Sequence, residues 1–196
     1  MIFRPWIRAL IISGVAMAPM AYAAIPAGNE LIGHEALRGR DLLHSGSELE
    51  IDFAKAKLGT VVLFLSARCP CSASHEERLK GLFEKYSKQG FQFVAVHSNQ
   101  DESDLETLPH FKKAELPFAV LNDPGAEIAN ALGALKTPHS YVISPRGEIL
   151  YQGGVDDSHD AHTAKKYYLE TALNQVIAGE KPSPSEVRVL GCVIKR

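Results

Sequence analysis

Cysteine is scarce in this chain: there are three in 196 residues. That number is too small, and odd, for a framework of stapling disulfides, and it leaves one cycling pair plus a third thiol, or a free reactive cysteine. An excess of one charge is also missing. Lys and Arg number 21 against 23 Asp and Glu, a net charge of −2, so neither nucleic acid nor an anionic membrane surface is expected as a partner. There is no internal repeat and no low-complexity tract. The apolar stretch near the start, residues 9–17, is too short to span a bilayer comfortably.

That stretch has a different meaning. Arg4 and Arg8 precede it, and Ala21-Tyr22-Ala23 follows as a small-residue cleavage site. Residues 1–23 therefore read as a secretory signal, while Ser13, Gly14 and Pro19 disfavour an uncleaved membrane anchor. The expectation is an exported, periplasmic protein with no stable membrane insertion after cleavage. Without Arg4 and Arg8, 19 basic residues face 23 acidic ones, a net charge of −4. A remaining chain of this length buries roughly 70% of its unfolded surface, enough for one self-sufficient domain. Export also puts the thiols where disulfides persist.

Residues 24–57 carry a weak pattern and read as an N-terminal extension, with one half-buried strand over 48–53 from the alternation of Leu49, Ile51 and Phe53. The continuous apolar run 61–65 predicts a strand covered on both faces. Leu79, Leu82, Phe83 and Tyr86 then predict a helix over 71–88, stopped by Gly90. Further strands are expected at 91–96, 118–121, 140–144 and 148–152. The last two are joined by the turn Pro145-Arg146-Gly147 as an antiparallel hairpin. Helices are expected at 101–115 (inner face Leu105, Leu108 and Phe111, bent or divided at Pro109), at 125–132 and at 161–178 (inner face Tyr168, Leu169, Ala172, Leu173 and Val176). Residues 179–196, with Pro182, Pro184 and Cys192, read as an irregular surface tail. The order implies an α/β fold with a central mixed sheet, parallel early and antiparallel late, and helices on both faces.

The chemistry concentrates in Leu63-Phe64-Leu65-Ser66-Ala67-Arg68-Cys69-Pro70-Cys71-Ser72, where a buried strand meets a helix. Backbone N–H groups at a helix start lack intrahelical partners and the helix dipole is positive there, so a thiolate is favoured over a thiol. Pro70 suits the first helical position. Cys69 is the expected nucleophile. Residues i and i+2 are not neighbours on a helix, so a Cys69–Cys71 bond would be strained, and strained disulfides are the labile, oxidising ones. Cys192 offers a second route, on a tail able to fold across the helix mouth and resolve an intermediate on Cys69 or pair with Cys71. The sequence leaves the pairing open.

This strand-cysteine-helix unit, together with Thr137-Pro138-His139 before a strand and hairpin, resembles the thioredoxin-like fold over about residues 58–178, specifically its redoxin branch of exported thiol-disulfide proteins. Gly191-Cys192-Val193-Ile194-Lys195-Arg196 adds to the likeness with a bacterial redoxin subgroup. The resemblance implies a thiol-disulfide oxidoreductase acting on protein or small-molecule thiols and disulfides, with a separate redox partner for recycling and no cofactor. It implies a cis peptide at Pro138 beside the nucleophile, where the bare sequence favours trans. Thr137 and His139 would flank a substrate groove that Pro70 and Ser72 also line, and His139 would modulate the thiolate. Two departures stand out. Ser72 occupies the place of thioredoxin's second cysteine, and Leu63 the place of its buried Asp, so no proton acceptor for a second thiol carries over.

Two other activities are open. A peroxide reductase of the peroxiredoxin type would need a Pro where Val62 stands and an Arg about where Pro138 stands, although Ser66 and Cys69 fit. A Cu(I)-binding, metallochaperone-like protein would use Cys69 and Cys71 with His75 or His139, soft ligands suited to such an ion. His75 otherwise reads as a solvated helix-surface residue. His97, Ser98 and Asn99 lie at the strand edge where α/β sheets keep their sites. Asp156 and Asp157 read as a loop and helix-start cluster.

Overall fold

A computed structural model describes residues 36–196; the expected signal segment lies outside them. The central strand β3 (Gly59–Phe64) is buried at every position. Its alternating side chains feed two cores. Val61 and Leu63 face one side with Leu79, Leu82, Phe93, Phe111 and Leu169, whereas Val62 and Phe64 face the other with Val94, Ala129, Tyr141 and Ile194.

Seven strands form the main sheet, in the order β2-β1-β5-β4-β3-β7-β8. Strands β3, β4 (Phe91–His97) and β5 (Val120–Asn122) run parallel, and β7 (His139–Ile143) and β8 (Ile149–Gly153) continue antiparallel. The opposite edge holds a feature that the sequence pattern hides: β1 (Ala36–Asp41) pairs antiparallel with β2 (Glu48–Asp52) and with β5. The described part of the N-terminal extension, residues 36–57, is thus continuous with the main sheet. A separate two-stranded ribbon joins β6 (Lys136–Thr137) to β9 (Cys192–Val193).

Helix α1 (Pro70–Tyr86) buries Ser72, His75, Leu79, Leu82 and Tyr86, and stops as Gly90 takes a left-handed φ of 105°. Phe83 is only partly buried against the same core. Helix α2 (Asp104–Ala114) starts with a capping box of Ser103 and Glu106 and runs through Pro109 undivided. Pro109 stands at the middle of the eleven-residue helix and removes the bond to the Leu105 carbonyl. Leu105 itself is 88% exposed instead of facing inward. Helix α3 (Glu127–Leu132) and α4 (Tyr168–Ile177) complete the set. The expected start of α4 at 161 moves to 168, because the Asp157 carboxylate accepts from the Lys165 and Lys166 N–H groups and holds the chain extended. Leu169, Ala172, Leu173 and Val176 face the core as the spacing predicts. Among the described residues, no helix is long and apolar enough to cross a membrane.

Candidate active site

The site forms where β3 hands over to α1. Cys69 is the N-cap of α1, with extended backbone (φ −82°, ψ 111°), and its Sγ accepts from the Ser72 N–H at 3.4 Å. The Thr137–Pro138 peptide is cis, and as a thiol Cys69 donates to the Thr137 carbonyl at 3.1 Å. The buried Thr137 hydroxyl has no other hydrogen-bond partner and is available to the sulfur once it ionises. Cys69 is only 2% exposed. Burial by itself raises its pKa, but hydrogen bonds from the Cys192 thiol, Thr137 and the Ser72 and Cys192 N–H groups outweigh it and bring the value down to about 7.

A polar network fixes the turn that carries this sulfur. Glu102, 7% exposed, accepts from Ser66 Oγ at 2.5 Å, the Ala67 N–H at 2.8 Å and Asn99 Nδ2 at 2.5 Å, and its Oε2 lies 3.1 Å from His97 Nε2. Ser66 Oγ in turn accepts from the Cys69 N–H at 3.1 Å. Burial opposes the charge on Glu102, but the bonds from His97, Ser66 and Asn99 hold its carboxyl down at about 2. His97 and Asn99, expected near the site from their place at a strand end, are thus supports beneath Cys69. The sequence gives no sign of this role for Glu102, because a carboxylate just before a capping box reads as part of the helix start.

The C-terminal tail, expected to be irregular, is pinned across the site. Thr137 pairs with Cys192 and Lys136 with Val193. The Ile194 N–H donates to Leu135 O at 3.0 Å, and the Ile194 side chain is buried. Lys195 is held at both backbone groups, its N–H donating to Asn99 Oδ1 at 3.2 Å and its carbonyl accepting from the Gln100 N–H at 2.8 Å. Cys69, Cys71 and Cys192 are all free thiols, and their sulfurs lie within 4.8 Å of one another. Cys192 has its pKa pushed up to about 12, first by burial and then by its hydrogen bond and proximity to Cys69. The expected groove is therefore covered. Ser72, Thr137, Pro138 and His139 are buried, and only Pro70 is exposed.

Gly191 makes this cover close-fitting, since a Cβ there would collide with the Thr137 carbonyl. Gly191→Val should lift the tail at an overpacking cost of about 1–3 kcal/mol. Alkylation of Cys69, measured at a pH above its pKa so that only access differs, should then quicken by about tenfold. An unchanged rate would mean that the tail does not shield the sulfur.

Cys71, at the second turn position of α1, has its pKa raised by burial first and next by the negative charge of Cys69. Its Sγ lies 3.5 Å from Nδ1 of the exposed His159. No sequence signal pointed to His159, which reaches the site from a loop 88 residues away. Two expected ligands stand elsewhere. His75 is 1% exposed, with Nδ1 2.6 Å from the Cys71 carbonyl and Nε2 3.0 Å from the buried Asp156, which also receives Arg78. His139 stacks on Tyr141 at 4.5 Å between ring centroids, and burial lowers its pKa to about 4. A neutral ring of that kind places no positive charge beside the thiolate. Of the expected set Cys69, Cys71, His75 and His139, the structure keeps Cys69 and Cys71 together, beside Cys192, and engages both histidines elsewhere.

A parallel β-α-β unit, an N-cap cysteine and a cis-proline loop against its sulfur define a thioredoxin-like protein. The redoxin family model matches residues 31–168, and the chain belongs to that family. It is similar to the thiol-disulfide oxidoreductase ResA of Halalkalibacterium halodurans, 25% identical over 114 residues, which is 57% of this chain and 63% of that protein's length. Among solved structures it is similar to an uncharacterized conserved protein from Geobacillus kaustophilus (TM-score 0.76, 23% identity, covering 86% of this chain and 91% of the other). It is also similar to a hypothetical protein from Sinorhizobium meliloti 1021 (TM-score 0.72, 25% identity, 82% and 90%).

Proposed function

We propose that this protein is an exported thiol-disulfide oxidoreductase in which Cys69 attacks and Cys192 resolves. The observation that carries the reading is the placement of the Cys69 sulfur at the start of α1, where it accepts from the Ser72 N–H and has the Cys192 sulfur within 4.8 Å; donors that include the Cys192 thiol lower its pKa to about 7. In the reducing direction, the Cys69 thiolate attacks one sulfur of a substrate disulfide, and the other sulfur leaves as a thiolate that takes up a proton. The mixed disulfide removes the negative charge of Cys69. That relieves the repulsion that, after burial, keeps the Cys192 proton in place. Cys192, deprotonated, then attacks Cys69 Sγ and expels the reduced substrate, leaving a Cys69–Cys192 disulfide. Two electrons have passed to the substrate, and a separate thiol donor restores the chain. The same steps reversed oxidise a dithiol.

Export rests on the signal pattern of residues 1–23, followed by the extension 24–57, the redoxin unit 58–178 and the tail 179–196. It agrees with chemistry that suits an oxidising compartment. Protein disulfides fit the reading best, because the edge at Thr137 that the tail now occupies is one where an extended chain can pair once the tail lifts.

Peptide mapping of the oxidised protein should find Cys69 joined to Cys192. Cys192→Ala should accumulate a mixed disulfide on Cys69 and raise the Cys69 pKa above about 7, read from thiolate absorbance, because its leading hydrogen-bond donor is gone. Pairing of Cys69 with Cys71 in the wild type, with full turnover in Cys192→Ala, would defeat the assignment of Cys192.

A further inference from the structure

Three sulfurs converging from two separate parts of the chain are more than disulfide exchange requires. Exchange needs a nucleophile and one resolving thiol. Here Cys69 and Cys71 come from the start of α1 and Cys192 from β9, 121 or more positions further along the chain, yet all three Sγ atoms fall within 4.8 Å of one another. A trigonal site with metal–sulfur bonds of about 2.3 Å places its sulfurs about 4 Å apart. The cluster therefore needs to contract by less than an ångström. Cys69 is buried, while Cys71 and Cys192 are partly exposed and give a route in.

The donor chemistry selects the ion. Thiolates favour soft, closed-shell cations such as Cu(I) and Zn(II) over Mg or Ca. Structural zinc sites close with four ligands, and this cluster presents three. The fourth candidate, His159 Nδ1, reaches Cys71 at 3.5 Å and is not among the atoms that converge. His75 is committed to the Cys71 carbonyl and Asp156, and His139 to Tyr141. Cu(I) is satisfied by two or three thiolates.

We infer that the reduced protein binds one Cu(I) ion through Cys69, Cys71 and Cys192. Each thiol that becomes a ligand gives up its proton to solvent as the metal–sulfur bond forms, and no electron is transferred. The ion takes the position now bridged by the hydrogen bond between Cys192 and Cys69. Copper occupancy and disulfide exchange then exclude one another, because Cys69 cannot be both ligand and nucleophile.

The test is an anaerobic titration of the fully reduced chain with Cu(I) against a chromophoric Cu(I) chelator. The copper X-ray absorption edge is recorded on the loaded protein. One ion per chain is expected, with three sulfur neighbours. Loss of any one ligand should weaken binding by about tenfold or more, so Cys71→Ser and Cys192→Ser should each show that loss while circular dichroism confirms that they remain folded. Binding no tighter than the chelator's would overturn the proposal. So would binding indifferent to Cys192→Ser, which would describe a two-thiol site on α1 alone, or displacement of Cu(I) by equimolar Zn(II). Exchange is assayed separately on the metal-free protein with chelator present. Exchange without copper binding removes this inference only, and copper binding without exchange removes the oxidoreductase reading only.

Discussion

Cys69→Ser should reduce disulfide exchange to the uncatalysed background while leaving the fold intact. The two effects separate because serine does one of the cysteine's jobs and not the other. As the N-cap of α1, a serine oxygen accepts from the helix N–H groups at least as well as sulfur does, so stability should hold or rise slightly. As a nucleophile it fails, since an alcohol does not ionise at neutral pH even with the donors that bring Cys69 to about 7. The substitution also acts on its neighbours. The Cys71 and Cys192 values are raised in part by the charge of Cys69, so both thiols should titrate at lower pH in the variant. Reduction of insulin or of a fluorescent disulfide peptide, with a thermal melt and a thiolate titration on the same sample, gives all three readouts. Wild-type turnover in Cys69→Ser would end the assignment of the nucleophile.

The contrast between what could be read in the sequence and what could not follows the range of the interactions involved. Strand β3, the stripe Leu79, Leu82 and Tyr86, the hairpin of β7 and β8 and the inner face of α4 are local patterns of period two or 3.6, and they form as the spacing predicts. Strand β1 does not advertise itself, because Arg38, Gly39 and Arg40 break the apolar alternation, and its pairing with β5 comes from far along the chain. At the site, the helix-start position of Cys69 was legible as local physics. Pro138 at its side was legible only through the likeness to a known fold.

His75 carries a readable sign of burial. It continues the buried stripe of Leu79, Leu82 and Tyr86 toward the helix start, which places it inward, on Asp156, and not in solvent. Glu102 and His159 are loop residues whose roles exist only after folding, and no spacing announces them, whereas the position of Asn99 at a strand end did point to the site. The tail is the clearest case. A segment with Pro182 and Pro184 reads as loose, yet residues 192–196 are fixed by the pairing of β9 with β6, by backbone bonds of Ile194 to Leu135 and of Gln100 to Lys195, and by the Lys195–Asn99 and Arg196–Ala134 bonds.

Glu102→Gln is expected to cost about 3 kcal/mol of stability, with a pH dependence that identifies the cause. The carboxylate accepts from Ser66, Ala67 and Asn99 and faces His97, and an amide of the same shape presents its NH2 to some of those donors and leaves them unpaired. The folded carboxyl sits at about 2, below its ordinary value of 4.5. A depressed acid contributes stability that is complete above the unfolded value and is lost as pH falls toward the folded one. The gap between wild type and Glu102→Gln in urea unfolding should therefore be full at neutral pH and narrow from about 4.5 down to about 2. The change should also reach the chemistry, since Ser66 holds the Cys69 N–H and Asn99 holds the Lys195 N–H of the tail. Loosening both ends withdraws the Cys192 donor from Cys69, so the thiolate pKa should rise in Glu102→Gln although Glu102 touches neither sulfur. Glu102 is in this sense a positioning residue. A variant as stable as wild type, a gap that does not change with pH, or a Cys69 pKa that stays at about 7 would each break the link between this carboxylate and the sulfur above it.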